Sequence, residues 1–240
     1  MNDRFCARRG CVPDDEKNFS PHGIETMRLA SRHIGYLINE GYDLKQATVF
    51  VGNHFLLSER QRLAVMRSLA TDAQLKERDQ KKLEMTDLAG KDLWIDGFNT
   101  IITLEVLLCD SILLKCMDGT VRDLAALRGT YRIIKETHGA VRLLFDALEE
   151  TSVRSAAILL DAPVSNSGRL KALIAEMGED YPFSMDIQVM KDVDRELYKR
   201  ENVITSDSII LDHCVSWANV AAECVKRQGK TAYRVWEQSE

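Results

Sequence analysis

Residues 91–100 read KDLWIDGFNT, a short apolar run that ends in an aspartate. The run at residues 93–95 has the length and composition of a buried strand, and Gly97 marks the turn after it. A carboxylate directly after a buried strand is costly unless it is paired, hydrogen-bonded or bound to a cation. We therefore expect Asp96 either to belong to a functional site or to cap the helix that the pattern predicts over residues 100–108.

Two further apolar runs end in the same residue type. Residues 156–160 lead directly to Asp161, and residues 203–205 lead through Ser206 to Asp207. Ligands of open parallel sheets bind beyond the carboxyl ends of the strands, so we expect the aspartates to converge on one sheet edge. Each aspartate alone could be the N-cap of the next helix, and for Asp207 that alternative stays open.

The order of elements after residue 91 predicts an α/β domain. Apolar runs of strand length alternate with helical segments, which is typical of a mainly parallel sheet between two layers of helices. The fold class we expect is therefore a three-layer α/β/α domain. Strands are predicted at residues 93–95, 112–116, 156–160, 187–190, 203–205 and 233–236, and helices at residues 100–108, 122–150 and 207–225.

The first third of the chain predicts a small all-α domain. Apolar positions recur at helical spacing over residues 24–39, and Gly41 ends that helix. Asp43 and Ser58 are placed to act as N-caps of two further short helices. The next segment is highly charged, so it is either a loose linker or an exposed helix. The expected division is a helical domain, a charged linker or helix, and an α/β domain, at residues 1–70, 71–90 and 91–240.

Charge and hydropathy narrow the class of protein. A net charge of −5 argues against a protein that coats nucleic acid non-specifically. The excess of acids lies after residue 90, as an acidic metal site would require, so a nucleic-acid substrate is not excluded. No apolar run is long enough to span a membrane, and the N-terminus lacks the apolar core of a signal peptide. We expect a cytoplasmic protein without a membrane partner, and a homo-oligomer is compatible with the sequence.

The cysteines favour reduced thiols over a metal site. Cys6 and Cys11, with His22 beyond them, would be candidate zinc ligands, but a matching second pair of ligands is missing. In a reducing compartment free thiols are the better interpretation. The remaining cysteines lie in apolar segments and are expected to pack as small hydrophobes: Cys109, Cys116, Cys214 and Cys224.

Carboxylates that converge on one sheet edge predict a divalent cation. Like charges repel one another, and Mg²⁺ or Mn²⁺, which prefer oxygen ligands, would relieve that repulsion. Two such ions would polarise a phosphodiester and activate water. The expected ligands are Asp96, Asp161 and Asp207, with Asp212 or Asp118 as a further ligand.

Three other side chains are candidates for handling the phosphate. Asn99 and Ser206 would position the phosphate or a metal-bound water. Arg122, in the segment DGTVRD at residues 118–123, would steady the scissile phosphate with its guanidinium group. For that segment a turn followed by a helix N-terminus is the open alternative.

These motifs carry a resemblance to a known superfamily. The segment LWIDGFN, residues 93–99, resembles the first motif of the PIN-like nucleases, including their NYN and flap-endonuclease branches. VITSD, residues 203–207, is similar to a later motif, and ILLDAP, residues 158–163, resembles the middle strand. The resemblance covers residues 92–225 and implies a PIN-like domain, a divalent-metal-dependent ribonuclease activity and an RNA partner. The whole chain also resembles an uncharacterised prokaryotic family, which adds no chemistry.

The sequence also departs from the PIN-like pattern. The NYN version of the last motif has a second aspartate where this chain has Ile209. The usual additional acid on a helix has four competitors here, Glu105, Asp118, Asp123 and Glu150. A catalytically inactive PIN-like module that binds RNA or another protein is therefore the alternative function. In that alternative the acids are helix caps, and arginines of the third helix form the contact surface.

Overall fold

The computed structural model of the protein describes residues 8–127 and 129–237. Within these ranges the α-helices α1 to α11 are Asp15–Asn18, Pro21–Asn39, Leu44–His54, Glu59–Ser68, Asp72–Lys81, Gly97–Leu108, Lys135–Glu150, Ser167–Gly178, Val193–Leu197, Ser208–His213 and Val220–Arg227. The strands β1 to β8 are Lys82–Leu83, Asp92–Asp96, Leu113–Lys115, Val121–Asp123, Ser155–Asp161, Ser184–Met190, Val203–Ile204 and Trp217–Ala218. A 3-10 turn at Met85–Leu88 precedes β2.

The main sheet has six strands in the order β1-β8-β7-β2-β5-β6, and all neighbouring strands are parallel. The predicted α/β class, with a mainly parallel sheet flanked by helices and an N-terminal helical region, is confirmed. From β2 the chain moves outward through β5 to β6, and it then returns to β7 and β8 on the other side of β2. This reversal of strand order lies between β2 and β7, and such a switch point is where open parallel sheets bind ligands.

The turn from β2 into α6 depends on a glycine. A Cβ atom on Gly97 would stand 2.7 Å from Leu160 Cδ2 and 2.8 Å from the carbonyl oxygen of Leu159. Both neighbours belong to β5, and all five residues of β2 pair with that strand. The missing side chain therefore lets the start of α6 lie directly against the sheet beside Asp96.

The predicted helix over residues 122–150 is wrong in its first half. Val121–Asp123 form β4, which pairs antiparallel with β3 outside the main sheet, and the helix α7 begins only at Lys135. The side chain of Asp123 explains the difference, because its Oδ1 accepts a hydrogen bond from the backbone N–H of Ala125 at 2.7 Å. Such a local side-chain bond turns the backbone away from a helix.

The predicted helix over residues 207–225 is also wrong, because it is interrupted by a strand. Helix α10 ends at His213, and Trp217–Ala218 form β8 between β7 and β1. The Trp217 side chain is fully buried, and its indole N–H donates to the carbonyl of Arg78 at 2.8 Å. Tertiary burial of one large side chain therefore overrides the helical periodicity. At the C-terminus, the strand predicted at residues 233–236 is reduced to one bridge between Tyr233 and Leu114.

The helical region and the α/β region share buried surface. The charged segment after α4 forms α5 and then β1, which is an edge strand of the main sheet. The apolar faces of α2 and α4 pack on the β3–β4 hairpin and on the C-terminal segment in one hydrophobic cluster. Its buried members include Met27, Ala30, Ile34, Ala64, Val65, Leu114, Leu124, Val235 and Trp236.

Candidate acidic site at the sheet edge

Asp96 lies at the carboxyl end of β2, and its side chain is only 6% exposed. Its Oδ2 accepts a hydrogen bond from the Thr205 hydroxyl at 2.8 Å, and its Oδ1 accepts one from the Asn99 N–H at 3.4 Å, which caps α6. Burial raises the pKa of Asp96 from its ordinary value to about 8, and the charges of nearby aspartates add to that rise. The Asp96 side chain therefore caps a helix, and its ionisation is disfavoured by its surroundings.

The structure places the three predicted strand-end aspartates on one edge of the sheet. Asp161 ends β5 on one side of Asp96, and Asp207 follows β7 on the other side. The negative charges of Asp207, Asp194 and Asp161 each contribute to the raised pKa of Asp96. These four side chains are called the acidic site below.

Asp194 is the member of the acidic site that the sequence analysis missed. It lies in the first turn of α9. Burial raises the pKa of Asp194, and the negative charges of Asp207, Asp161 and Asp192 raise it further. A signal for it was present in the sequence. The predicted strand at residues 187–190 is followed by KDVD, so the search for acids after strands leads to Asp192 first and to Asp194 two residues later.

The acids flanking Asp96 differ in their surroundings. Burial raises the pKa of Asp161, although a hydrogen bond from the backbone of Val193 favours the charged form and partly opposes that rise. Asp207 caps α10, because its Oδ1 accepts hydrogen bonds from the N–H groups of Ile209 at 2.8 Å and Ile210 at 3.3 Å. The capping alternative for Asp207 is thus realised, beside its place on the sheet edge.

Asn99 and Ser206 hold the loop that carries Asp207. Asn99 Oδ1 accepts hydrogen bonds from the backbone N–H of Ser206 at 3.1 Å and from its hydroxyl at 2.6 Å. The hydroxyl of Thr205 accepts from the Asp207 N–H at 3.0 Å while it donates to Asp96. The first turn of α6 and the β7–α10 loop are therefore tied together around the acidic site.

Arg122 lies behind this loop in a buried position, with 4% of its side chain exposed. Its Nε donates to the carbonyl oxygen of Ser206 at 2.7 Å, and its Nη2 lies 2.5 Å from Asp118 Oδ2. The guanidinium group supports the main chain of the loop and is occupied by protein partners. Its predicted role at a scissile phosphate stays a prediction.

Asp118 and Asp212 belong to a separate ion-pair network centred on Arg78. Arg78 Nη1 lies 2.7 Å from Asp118 Oδ2, and Arg78 Nε donates to Asp212 Oδ1 at 2.7 Å. Burial acts to raise the pKa of Asp118, but Arg122, hydrogen bonds from Thr120 and the Arg78 charge hold it below its usual value. The structure does not bring Asp118 or Asp212 together with Asp96.

Within residues 8–127 and 129–237, no three His, Cys, Asp or Glu side chains form a preformed metal cluster. Cys6 lies outside the described residues, while Cys11 is an exposed free thiol. Glu105, a competitor for the additional acid, is fully buried, and its Oε2 lies 2.7 Å from Arg9 Nη1, away from the sheet edge. In the same part of the chain, no helix has the length and apolar character needed to cross a membrane.

The fold and the site thus define an α/β protein with a group of aspartates at its topological switch point. Residues 85–223 match the family described as "Domain of unknown function (DUF5616)", and the chain belongs to that family. Residues 26–81 match the family described as "Protein of unknown function (DUF434)". The chain is similar to the uncharacterized protein MJ0935 of Methanocaldococcus jannaschii, with 36% identity over 186 residues, which are 78% of this chain and 89% of that protein. No solved structure matches the chain significantly.

Proposed function

We propose that the protein is a divalent-metal-dependent ribonuclease that hydrolyses phosphodiester bonds at the acidic site. The observation that carries the proposal is the environment of Asp96. Its carboxyl group is buried at the switch point between β2 and β7, and three other aspartates add to its unfavourable charge. Buried titratable groups whose pKa is strongly shifted by burial and by specific charged neighbours are candidates for functional sites.

The donor set fits a hard divalent cation. All four side chains offer carboxylate oxygens, and a cation would offset both the burial of Asp96 and the repulsion among the aspartates. Mg²⁺ commonly uses one or two carboxylates and completes its shell with waters and substrate phosphate, so a preformed cluster is not needed. The residues that would hold Mg²⁺ or Mn²⁺ are Asp96, Asp161, Asp194 and Asp207. A bound ion supplies polarisation of the phosphodiester and a more acidic water.

The residues around the acids supply orientation. Thr205 hydrogen-bonds to Asp96 through its hydroxyl hydrogen and to the backbone of Asp207 through its hydroxyl oxygen. It therefore fixes these two acids relative to each other. Asn99 fixes Ser206 in the same loop, and Arg122 supports that loop from behind. Such hydrogen-bonded support is what holds a catalytic constellation in its productive geometry.

The choice of RNA as substrate rests on the resemblance of LWIDGFN and VITSD to PIN-like nuclease motifs. A cytoplasmic location is part of the same proposal. Its support is that the described cysteines, Cys11, Cys109, Cys116, Cys214 and Cys224, are all free thiols.

The test combines metal binding with cleavage of a labelled RNA. Mn²⁺ should raise the melting temperature of the wild type by mass action, and Mn²⁺ should switch on cleavage of the RNA. Asp96→Asn and Asp207→Asn should abolish cleavage, and Asp96→Asn should abolish most of the Mn²⁺ effect. Asparagine is also a good N-cap, so both variants should keep helices α6 and α10.

Asp180→Asn is the matched control, because Asp180 is an exposed acid in the turn between α8 and β6, at the opposite edge of the sheet. It should cleave and bind Mn²⁺ as the wild type does. A wild type that does not cleave RNA in the presence of Mn²⁺, or an Asp96→Asn variant as active as the control, would refute the proposal.

A non-catalytic module that binds RNA or a protein is the second candidate. The observation in its favour is that Asp96 and Asp207 both cap helices, a role that requires no chemistry. It predicts RNA binding that is independent of Mn²⁺, without cleavage, and unchanged in Asp96→Asn.

A further inference from the structure

Two aromatic rings stack on each other beside the acidic site. The ring centroids of Tyr198 and His213 are 4.5 Å apart, and their planes are inclined by 23°. Tyr198 is the C-cap of α9, and His213 is the last residue of α10. The imidazole is exposed and the phenol is half-buried, so the pair is open to solvent.

The helices that carry the rings also carry two of the acids. Asp194 and Tyr198 are four residues apart, so they lie on the same side of α9 and its C-cap. Asp207 caps α10, and the six residues of that helix span about 9 Å at a rise of about 1.5 Å per residue. Burial raises the pKa of Tyr198, and the negative charges of Asp194 and Asp207 raise it further, so both carboxylates lie near the phenol. The stacked pair therefore stands within about one short helix length of the acidic site.

The local contacts keep the imidazole in place. His213 Nδ1 lies 2.8 Å from the carbonyl oxygen of Ile209, one helical turn earlier. Ile209 itself is 52% exposed, in the first turn of the helix that Asp207 caps. Ile209 and His213 are four residues apart and share one face of α10, and His213 stacks on Tyr198; these three side chains are called the stacking surface below.

We infer that the stacking surface binds an unpaired nucleobase of the RNA whose phosphodiester lies at the acidic site, so the substrate is single-stranded at that point. The inference rests on the proposed function, which it narrows to a substrate class. Aromatic faces stack on any base, because every base has a π-face. In a duplex the bases are covered by their neighbours, so only splayed or unpaired bases reach such rings.

The test measures the binding of fluorescein-labelled oligonucleotides to the full chain by fluorescence anisotropy, with Asp96→Asn in every protein to prevent cleavage. The probes are a single-stranded RNA, the same RNA in a duplex, and an oligonucleotide of equal length with abasic positions. The single strand should bind about tenfold more tightly than either of the others, which is the usual size of one stacking contact.

The variants are chosen to separate stacking from folding. Tyr198→Ala and His213→Ala should each lose most of the preference for the single strand and leave binding of the abasic probe unchanged. Tyr198→Phe should keep the preference, because the ring is retained. His213 is exposed, so His213→Ala tests the surface even where Tyr198→Ala disturbs packing. The control Tyr36→Ala removes another exposed aromatic ring, on α2, and should change nothing.

Equal binding of all three probes, or a preference that survives both alanine variants, overturns the stacking surface. The outcome is separable from that of the proposed function. Mn²⁺-dependent cleavage that needs Asp96, without any preference for unpaired bases, overturns the stacking surface alone. If the wild type cleaves no RNA but prefers the single strand, and that preference needs Tyr198 and His213, base stacking is supported and the proposed ribonuclease activity is refuted. A surface that captures protein instead would leave all three probes unbound, which also overturns the inference.

Discussion

At the scale of single residues, Asp96 couples the fold to pH. An aspartate in the unfolded chain ionises near 3.8, whereas burial and neighbouring charges raise the pKa of Asp96 in the folded protein to about 8. Between these two values the folded protein holds a proton that the unfolded chain has released. Stability from this group is therefore complete below about pH 4 and is lost as the pH rises towards 8.

Asp96→Asn should remove this pH dependence, since the amide does not ionise. In EDTA, the free energy of unfolding of the wild type should fall by several kcal/mol more than that of the variant between pH 5 and pH 9, because one pKa unit corresponds to about 1.4 kcal/mol. At pH 9 the variant should be the more stable protein. Urea denaturation at pH 5, 7 and 9 measures both slopes, with Asp180→Asn as the control that follows the wild type. Parallel slopes for wild type and Asp96→Asn would contradict the raised pKa.

At the scale of elements, the sequence predicts what local pattern determines. The strands at residues 93–95 and 156–160 were predicted because they are continuous apolar runs, and the aspartates that end them follow by position. The short strand Trp217–Ala218 was missed because two residues carry no periodicity, and burial between β7 and β1 decides their conformation. The pattern predicts helix at residues 122 and 123, whereas they belong to β4, because the partners of Arg122 and Asp123 are Ser206 and Thr103, which are distant in sequence.

The candidate site also has a part that the sequence predicts and a part that it does not. Asp96, Asp161 and Asp207 were predictable because each follows an apolar strand. The hydrogen bonds around them were not predictable, since the contact between Asn99 and Ser206 depends on the strand order that places β7 next to β2.

Gly97→Ala tests the packing of α6 against the sheet. The new Cβ would stand 2.7 Å from Leu160 Cδ2 and 2.8 Å from a backbone oxygen, and the backbone cannot yield as a flexible side chain does. Overpacking of this kind costs about 1–3 kcal/mol, so we expect that loss in the free energy of unfolding, measured by urea denaturation.

Gly168→Ala is the control for Gly97→Ala. Gly168 lies in the first turn of α8, and a Cβ there would have no atom within 4 Å. Alanine should stabilise that helix by about 0.5–1 kcal/mol. The same loss at both positions would show that the close approach at Gly97 does not matter.

At the scale of the whole molecule, a buried ion-pair network joins the helical region to the loop of the acidic site. Arg78 of α5 is 2% exposed, and it contacts Asp118, Asp212 and the carbonyl oxygen of Ser208. Helix α5 therefore contacts the first turn of α10 directly. The N-terminal helices are part of the support of the site.

Arg78→Ala should destabilise the protein by about 3–5 kcal/mol, because Asp118 and Asp212 each lose a charge-assisted hydrogen bond worth about 1.5–3 kcal/mol, while Asp118 keeps its ion pair with Arg122. Arg154→Ala is the matched control. It removes an arginine whose ion pair with Asp92 is largely exposed, at 68% and 49%, and it should cost less than about 1 kcal/mol. Urea denaturation of both variants gives the comparison, and similar losses would argue against a structural role for the network.

The edge strand β1 has a consequence for how the chain acquires its structure. Within the part of the chain that the structure describes, Lys82 and Leu83 pair with Trp217 and Ala218, which come far later in the sequence. During synthesis the segment that precedes the α/β region is complete long before its neighbour in the sheet exists. The strand β1 can pair in the sheet only after Trp217 and Ala218 have left the ribosome, and contacts of such long sequence separation slow folding. Until then the strand edge is unpaired, and exposed strand edges make partly folded chains prone to aggregation.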